Sequence, residues 1–123
     1  MSIPSKNKLK SSKAIDLLFS KGKYLKTSGF SLVYKKQKEK NPAGILVGFS
    51  VSKKNQLLAV ERNKTKRIMR SAFVSCCSDF FSAGSFFYNV MFVCNCSAPP
   101  SFSVAKEKIK FLLLSFNDSI SSS

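Results

Sequence analysis

GFSVSKKNQLLAVERNKTKRIMRSAF, residues 48–73, changes its hydrophobic period partway along. Its first part continues an alternation that begins at Ile45: Ile45, Val47, Phe49 and Val51 fall on one side, and Leu46, Gly48, Ser50 and Ser52 on the other. A period of two is that of a strand. The second side is nearly bare of bulk, which leaves room for a closely packed helix or another chain. After Lys53 and Lys54 the period becomes helical, from about Leu57 to Val74. Thr65, Ile68, Met69 and Ala72 recur at i, i+3, i+4 and i+7, while Arg62, Asn63, Lys66, Arg67 and Arg70 make the opposite stripe. A strand therefore feeds a helix that is apolar on one side and cationic on the other.

Working outward toward the N-terminus, Phe30, Leu32 and Tyr34 alternate with Ser31, Val33 and Lys35, which predicts a strand within 29–36. The following KQKEKNPAG joins charge with Pro42 and Gly44 and reads as a connection between two strands. Before the first strand, Ser11 or Ser12 can cap a short helix carrying Ile15, Leu18 and Phe19, with Gly22 as its stop. Residues 1–10, polar and basic, are expected to form an extended arm. Toward the C-terminus, Phe86 to Cys94 (FFYNVMFVC) is a continuous apolar run, expected for a central strand covered on both faces. Beyond Pro99 and Pro100, a last helix starting near Ser101 or Ser103 aligns Ala105, Ile109, Leu112, Leu113 and Phe116, and residues 119–123 are expected to fray. The order α-β-β-α-β-α, over residues 1–118, argues a single two-layer α/β (α+β) domain with a central mixed sheet.

Charge narrows the partners. The formal net charge is +15, and residues 1–70 hold eighteen of the twenty-one Lys and Arg against Asp16, Glu39 and Glu61. A field so lopsided favours a polyanion, of which nucleic-acid backbone is the commonest. Catalysis by the chain alone is poorly provided for. There is no histidine, and the six acidic residues are scattered without the clusters that a two-metal site needs. Cys76, Cys77, Cys94 and Cys96 lack zinc-knuckle spacing and read as reduced core or filler residues. No stretch approaches a membrane span and the N-terminus has no secretory pattern, so the expected compartment is the cytoplasm.

On the cationic helix, Arg62, Lys66 and Arg70 lie at i, i+4 and i+8, so their side chains rise about 6 Å per turn along one edge, comparable with successive phosphates. Lys54 and Lys53 stand before its first turn, where backbone N–H groups also favour an anion. Charge and composition fit equally a ribosomal or other rRNA-binding structural protein without a role in cleavage. A membrane-surface protein fits less well, for want of a broad apolar face. A DNA-binding role lacks helix-turn-helix spacing.

The motif goes further than composition. The run from Gly48 to Phe73 closely resembles the bacterial ribonuclease P protein subunit family, in which a strand ending G-[LFV]-[ST]-V-[SA]-K-K precedes a helix bearing R-N-R-x-K-R-x-x-R. Here the helix reads Arg62, Asn63, Lys64, then Lys66, Arg67 and Arg70. Lys64 stands where the family usually has arginine, which keeps the charge but loses a planar bidentate donor. The N-terminal NKLK, the helix ending near Phe19, Lys21 and Gly22, and the Phe30–Tyr34 strand follow in family order.

The resemblance implies the ribonuclease P protein / ribosomal protein S5 domain 2-like fold. It also implies a non-catalytic subunit of a ribonucleoprotein endoribonuclease that removes the 5′ leader of precursor tRNA. Its partners would be the catalytic RNA subunit and precursor tRNA, with no membrane and no obligate protein partner. The protein alone would bind no cofactor, and magnesium would enter with the assembled ribonucleoprotein. The RNA-binding set would be Lys53, Lys54, Arg62, Asn63, Lys64, Lys66, Arg67 and Arg70. The family's leader cleft, between the first helix and the sheet, would be lined by Phe19, Tyr34, Ser52 and Lys53, with Ile15 at a position that is often aromatic.

Overall fold

The structure, a computed structural model, describes residues 12–36, 46–52, 54, 56, 58–77 and 88–121. The basic arm, the Pro42–Gly44 connection, Ile45, Lys53, Phe86 and Phe87 lie outside these residues. Seven elements follow one another: α1 (Ser12–Lys21), β1 (Lys23–Thr27), β2 (Phe30–Lys36), β3 (Leu46–Val51), α2 (Ala59–Cys77), β4 (Tyr88–Cys94) and α3 (Phe102–Ser121). The four strands form a mixed sheet in the order β1-β2-β4-β3. β1 and β4 each pair antiparallel with β2, and β3 pairs parallel with β4.

Strand β1 is absent from the sequence-derived order, and its composition explains why. KYLKT carries two lysines and no run of apolar residues, and most of it is exposed at the sheet edge. Pairing with β2 makes it a strand. Thr27 stands opposite Phe30, so Ser28 and Gly29 alone turn the chain. Gly29 has φ of 76°, the left-handed region that suits glycine. That Ser-Gly pair was the readable signal.

The main core lies between the sheet and the layer formed by α2 and α3. Phe30, Leu32 and Tyr34 of β2, Val47 and Val51 of β3, and Val90, Phe92 and Cys94 of β4 meet Met69, Ala72 and Phe73 of α2 and Ala105, Ile109, Leu112, Leu113 and Phe116 of α3. Each fully buried phenylalanine here contributes about 1.5–3 kcal/mol relative to an exposed one. Phe49 stacks on Phe92 with centroids 5.7 Å apart and meets the edge of Phe73 at 5.8 Å. On the other face of the sheet a smaller cluster joins Leu18 of α1 to Val33 and Met91, with Ile15, Leu46 and Val93 at its margin. The alternation along β2 and β4 thus sends successive side chains to α3 and to α1 in turn.

Helix ends follow local chemistry. Ser101 caps α3, its hydroxyl accepting the Val104 N–H at 3.3 Å. The helix runs on to Ser121, into the segment expected to fray; NDSIS contains no glycine or proline to stop it. α1 ends at Gly22, whose N–H donates to the Leu18 carbonyl at 2.8 Å.

Candidate nucleic-acid interface

The cationic face begins with what seats α2. Thr65, Met69, Ala72 and Phe73 are fully buried, so the helix cannot rotate without withdrawing its apolar side from the sheet and α3. The opposite side is thereby committed to solvent. Asn63, Lys64, Arg67 and Arg70 are exposed, and Arg62 and Lys66 are half-buried along the flank. Arg70 lies over the Phe49 ring at 6.0 Å from its centroid, a cation–π contact that steadies the guanidinium above the strand. Lys54 is exposed in the turn between β3 and α2, so six cations that the sequence singled out border one helix face and its entry. Lys53 lies outside the described residues.

That entry is built around Gln56, which the sequence reading did not select. It is fully buried. Its N–H donates to the Ser52 carbonyl at 3.0 Å, and its amide nitrogen donates to the Cys96 carbonyl at 3.1 Å. Its amide oxygen accepts from the Thr65 hydroxyl at 2.9 Å, and its backbone carbonyl accepts from Arg62 Nη1 at 2.9 Å. A glutamine inside the apolar NQLLAV run carries no periodic signal, because its partners are 9 and 40 residues away in sequence.

The opposite face of the sheet is partly covered by α1. Across it runs a polar row, Lys26–Ser31–Val93–Ser50 in strand register, beside the row Tyr24–Val33–Met91–Gly48. Asn95 closes one end by donating to the Ser31 hydroxyl at 3.2 Å. Ser52 is half-buried where β3 ends, and Phe19 is exposed at the C-terminal end of α1.

Tyr34 is not beside Phe19. It points to the α3 face, only 9% exposed, with its ring edge-on to Phe116 at 5.0 Å and to Tyr88 at 6.1 Å. Its grouping with Phe30 and Leu32 was legible, but which of the two faces receives α1 was not. The tyrosine near Phe19 is Tyr24, opposite Val33 in β1, largely exposed and donating its hydroxyl to the Phe19 carbonyl at 2.7 Å. Its strand was unrecognised in the sequence, so the residue was too.

Among the described residues no three His, Cys, Asp or Glu side chains gather where they could hold a metal ion. No described helix is long and apolar enough to cross a membrane. Cys94 and Cys96 are free thiols, Cys94 wholly inside the core.

A small, strongly basic α+β domain with six cations along one helix face and its entry has the make-up of an RNA-binding subunit. The family model for ribonuclease P matches residues 3–115, and the chain belongs to the ribonuclease P protein family. Its function is that of the ribonuclease P protein subunit, part of an endoribonuclease. The fold agrees. The Staphylococcus aureus RNase P protein superposes with a TM-score of 0.67 at 20% identity, over 87% of this chain and 92% of that one. The Thermotoga maritima RNase P protein, solved with 1-(4-fluorophenyl)-2-thiourea, gives 0.65 at 22% identity, over 86% and 96%. No match was found among curated proteins.

Proposed function

We propose that the chain serves ribonuclease P by binding rather than by chemistry. α2 grips the catalytic RNA subunit, and the α1 face of the sheet receives the single-stranded 5′ leader of precursor tRNA. The observation that carries this reading is the division of α2, buried along Thr65, Met69, Ala72 and Phe73 and cationic along Arg62, Lys64, Lys66, Arg67 and Arg70, with the Asn63 amide among them. Lys54 extends the cationic edge, and Lys53, its neighbour in sequence, is assigned to the same set. Arginine and lysine on a rigid helix neutralise phosphates whatever the base sequence, as a structured RNA partner requires.

On the other face, Phe19 and Tyr24 offer exposed rings on which leader bases can stack without regard to sequence, and Ser50 and Ser52, both half-buried, keep side-chain bulk low on β3 and at its end. The chain works in the cytoplasm, without an obligate protein partner. Magnesium belongs to the assembled ribonucleoprotein in this reading, since six dispersed acidic residues give the protein little to hold it with.

The test is multiple-turnover cleavage of a leader-bearing precursor tRNA by a bacterial ribonuclease P RNA at low magnesium, with and without the protein. Strong stimulation at the mature 5′ end, with no cleavage by protein alone, is expected. Tight RNA binding without stimulation would favour an rRNA-binding structural role instead.

A further inference from the structure

We infer that Gln56 is a positioning residue for the RNA-binding face, holding Arg62 in place from beneath the entry to α2; this rests on the proposed role of α2. Its side-chain amide spans two connections that are remote in sequence. The amide nitrogen reaches the Cys96 carbonyl just beyond β4, and the amide oxygen takes the Thr65 hydroxyl on the buried side of α2. The Cys96 carbonyl can only accept, so the amide's orientation is determined by its surroundings. The Thr65 hydroxyl also lies 3.0 Å from the Glu61 carbonyl and shares its single proton between the two oxygens.

A fully buried amide bonded in this way cannot swing out without leaving polar groups unpaired in the core. The backbone of residue 56 is thereby immobilised, and its carbonyl is the group that accepts from Arg62 Nη1 at 2.9 Å. Being neutral, that carbonyl directs the guanidinium without cancelling its charge. An arginine side chain carries about 2 kcal/mol of rotamer entropy. Arg62 has surrendered part of this before RNA arrives, so less is lost on binding. The buried amide therefore acts on the RNA through Arg62, the cation that its backbone carbonyl holds.

A double-mutant cycle separates this role from support of the fold. Gln56→Met keeps the length of the side chain and removes the amide. Affinity of the full chain for the ribonuclease P RNA is measured for the parent, Gln56→Met, Arg62→Ala and the double variant, at a temperature where circular dichroism shows all four folded. Arg62→Ala is expected to weaken binding on the order of tenfold. Gln56→Met should weaken it by roughly threefold or more, and the double variant should bind about as Arg62→Ala does. In the Gln56→Met background, Arg70→Ala should keep its full effect.

Fully multiplicative losses for Gln56 and Arg62, or parental affinity in Gln56→Met, would overturn the inference. Parental affinity in both Arg62→Ala and Arg70→Ala would instead refute the assignment of α2 as the RNA-binding face. Should Gln56→Met not fold, Thr65→Val removes only the hydroxyl facing the amide and should show the same non-additivity with Arg62→Ala, with recovery in Thr65→Ser. Multiplicative losses there would overturn the inference equally.

Discussion

Replacing Gly22 with alanine should destabilise the protein, against the usual expectation. At a permissive position Gly→Ala gains about 0.4–1 kcal/mol by restricting the unfolded chain. Position 22 is not permissive, although its φ is not in the left-handed region. A Cβ there would stand 2.8 Å from Val33 Cγ2 and 3.0 Å from the Tyr34 carbonyl oxygen, and closer still to the Leu18 carbonyl oxygen. Two of those neighbours are backbone, and Val33 is buried beneath α1. None can yield without moving α1 away from β2. Overpacking costs about 1–3 kcal/mol, and three close contacts, two of them backbone, put this site at about 2–3 kcal/mol, which leaves a net loss of about 1–2.5 kcal/mol after the unfolded-state gain. Tm should fall by roughly 3–8 °C, and the urea midpoint should fall with the slope unchanged. Displacement of α1 should also reduce the preference for leader-bearing over mature tRNA while leaving affinity for the catalytic RNA near that of the parent. A Gly22→Ala variant as stable as the parent would refute the tight seating of α1 on β2.

Further expectations test the two faces and the core. Arg62→Ala and Arg70→Ala should each weaken RNA-subunit binding with little change in Tm; if about five phosphates are neutralised, log K should fall against log salt with a slope near −4, and each variant should make that slope shallower by about 1. A flat salt response in the parent would remove the electrostatic basis for the assignment. Phe19→Ala and Tyr24→Ala should lower leader discrimination at small cost in stability, whereas Tyr34→Ala should cost about 3–5 kcal/mol and Tyr34→Phe should leave discrimination intact. Binding assays with both tRNA forms and urea titrations distinguish these, and a loss of discrimination in Tyr34→Phe would return that residue to the cleft. Burial pushes the Cys94 thiol from 9.0 up to about 12, so the folded state favours the protonated form. The associated stability is present below about pH 9 and is lost as pH rises toward about 12. Urea titrations at rising alkaline pH should therefore show a steeper decline in the parent than in Cys94→Ala, and equal slopes would disprove the linkage.

Patterns that act over a few residues were readable directly. The shift from period two to period 3.6 between Ser52 and Thr65 located β3 and α2, and the same periodicity separated the buried stripe at Thr65, Met69 and Ala72 from the cations at Arg62, Lys66 and Arg70. Capping at Ser101 and the stop at Gly22 were likewise local chemistry. The tertiary structure decided what depends on partners distant in the chain. KYLKT is a strand because β2 lies beside it, and the side of β2 that α1 covers consigned Tyr34 to the core and brought Tyr24 to Phe19. Gln56 is the extreme case, since its role exists only where residues 52, 62, 65 and 96 meet. Periodicity records which face of an element is apolar, but hydrogen-bond partners and the choice of face depend on long-range packing, which no local window contains.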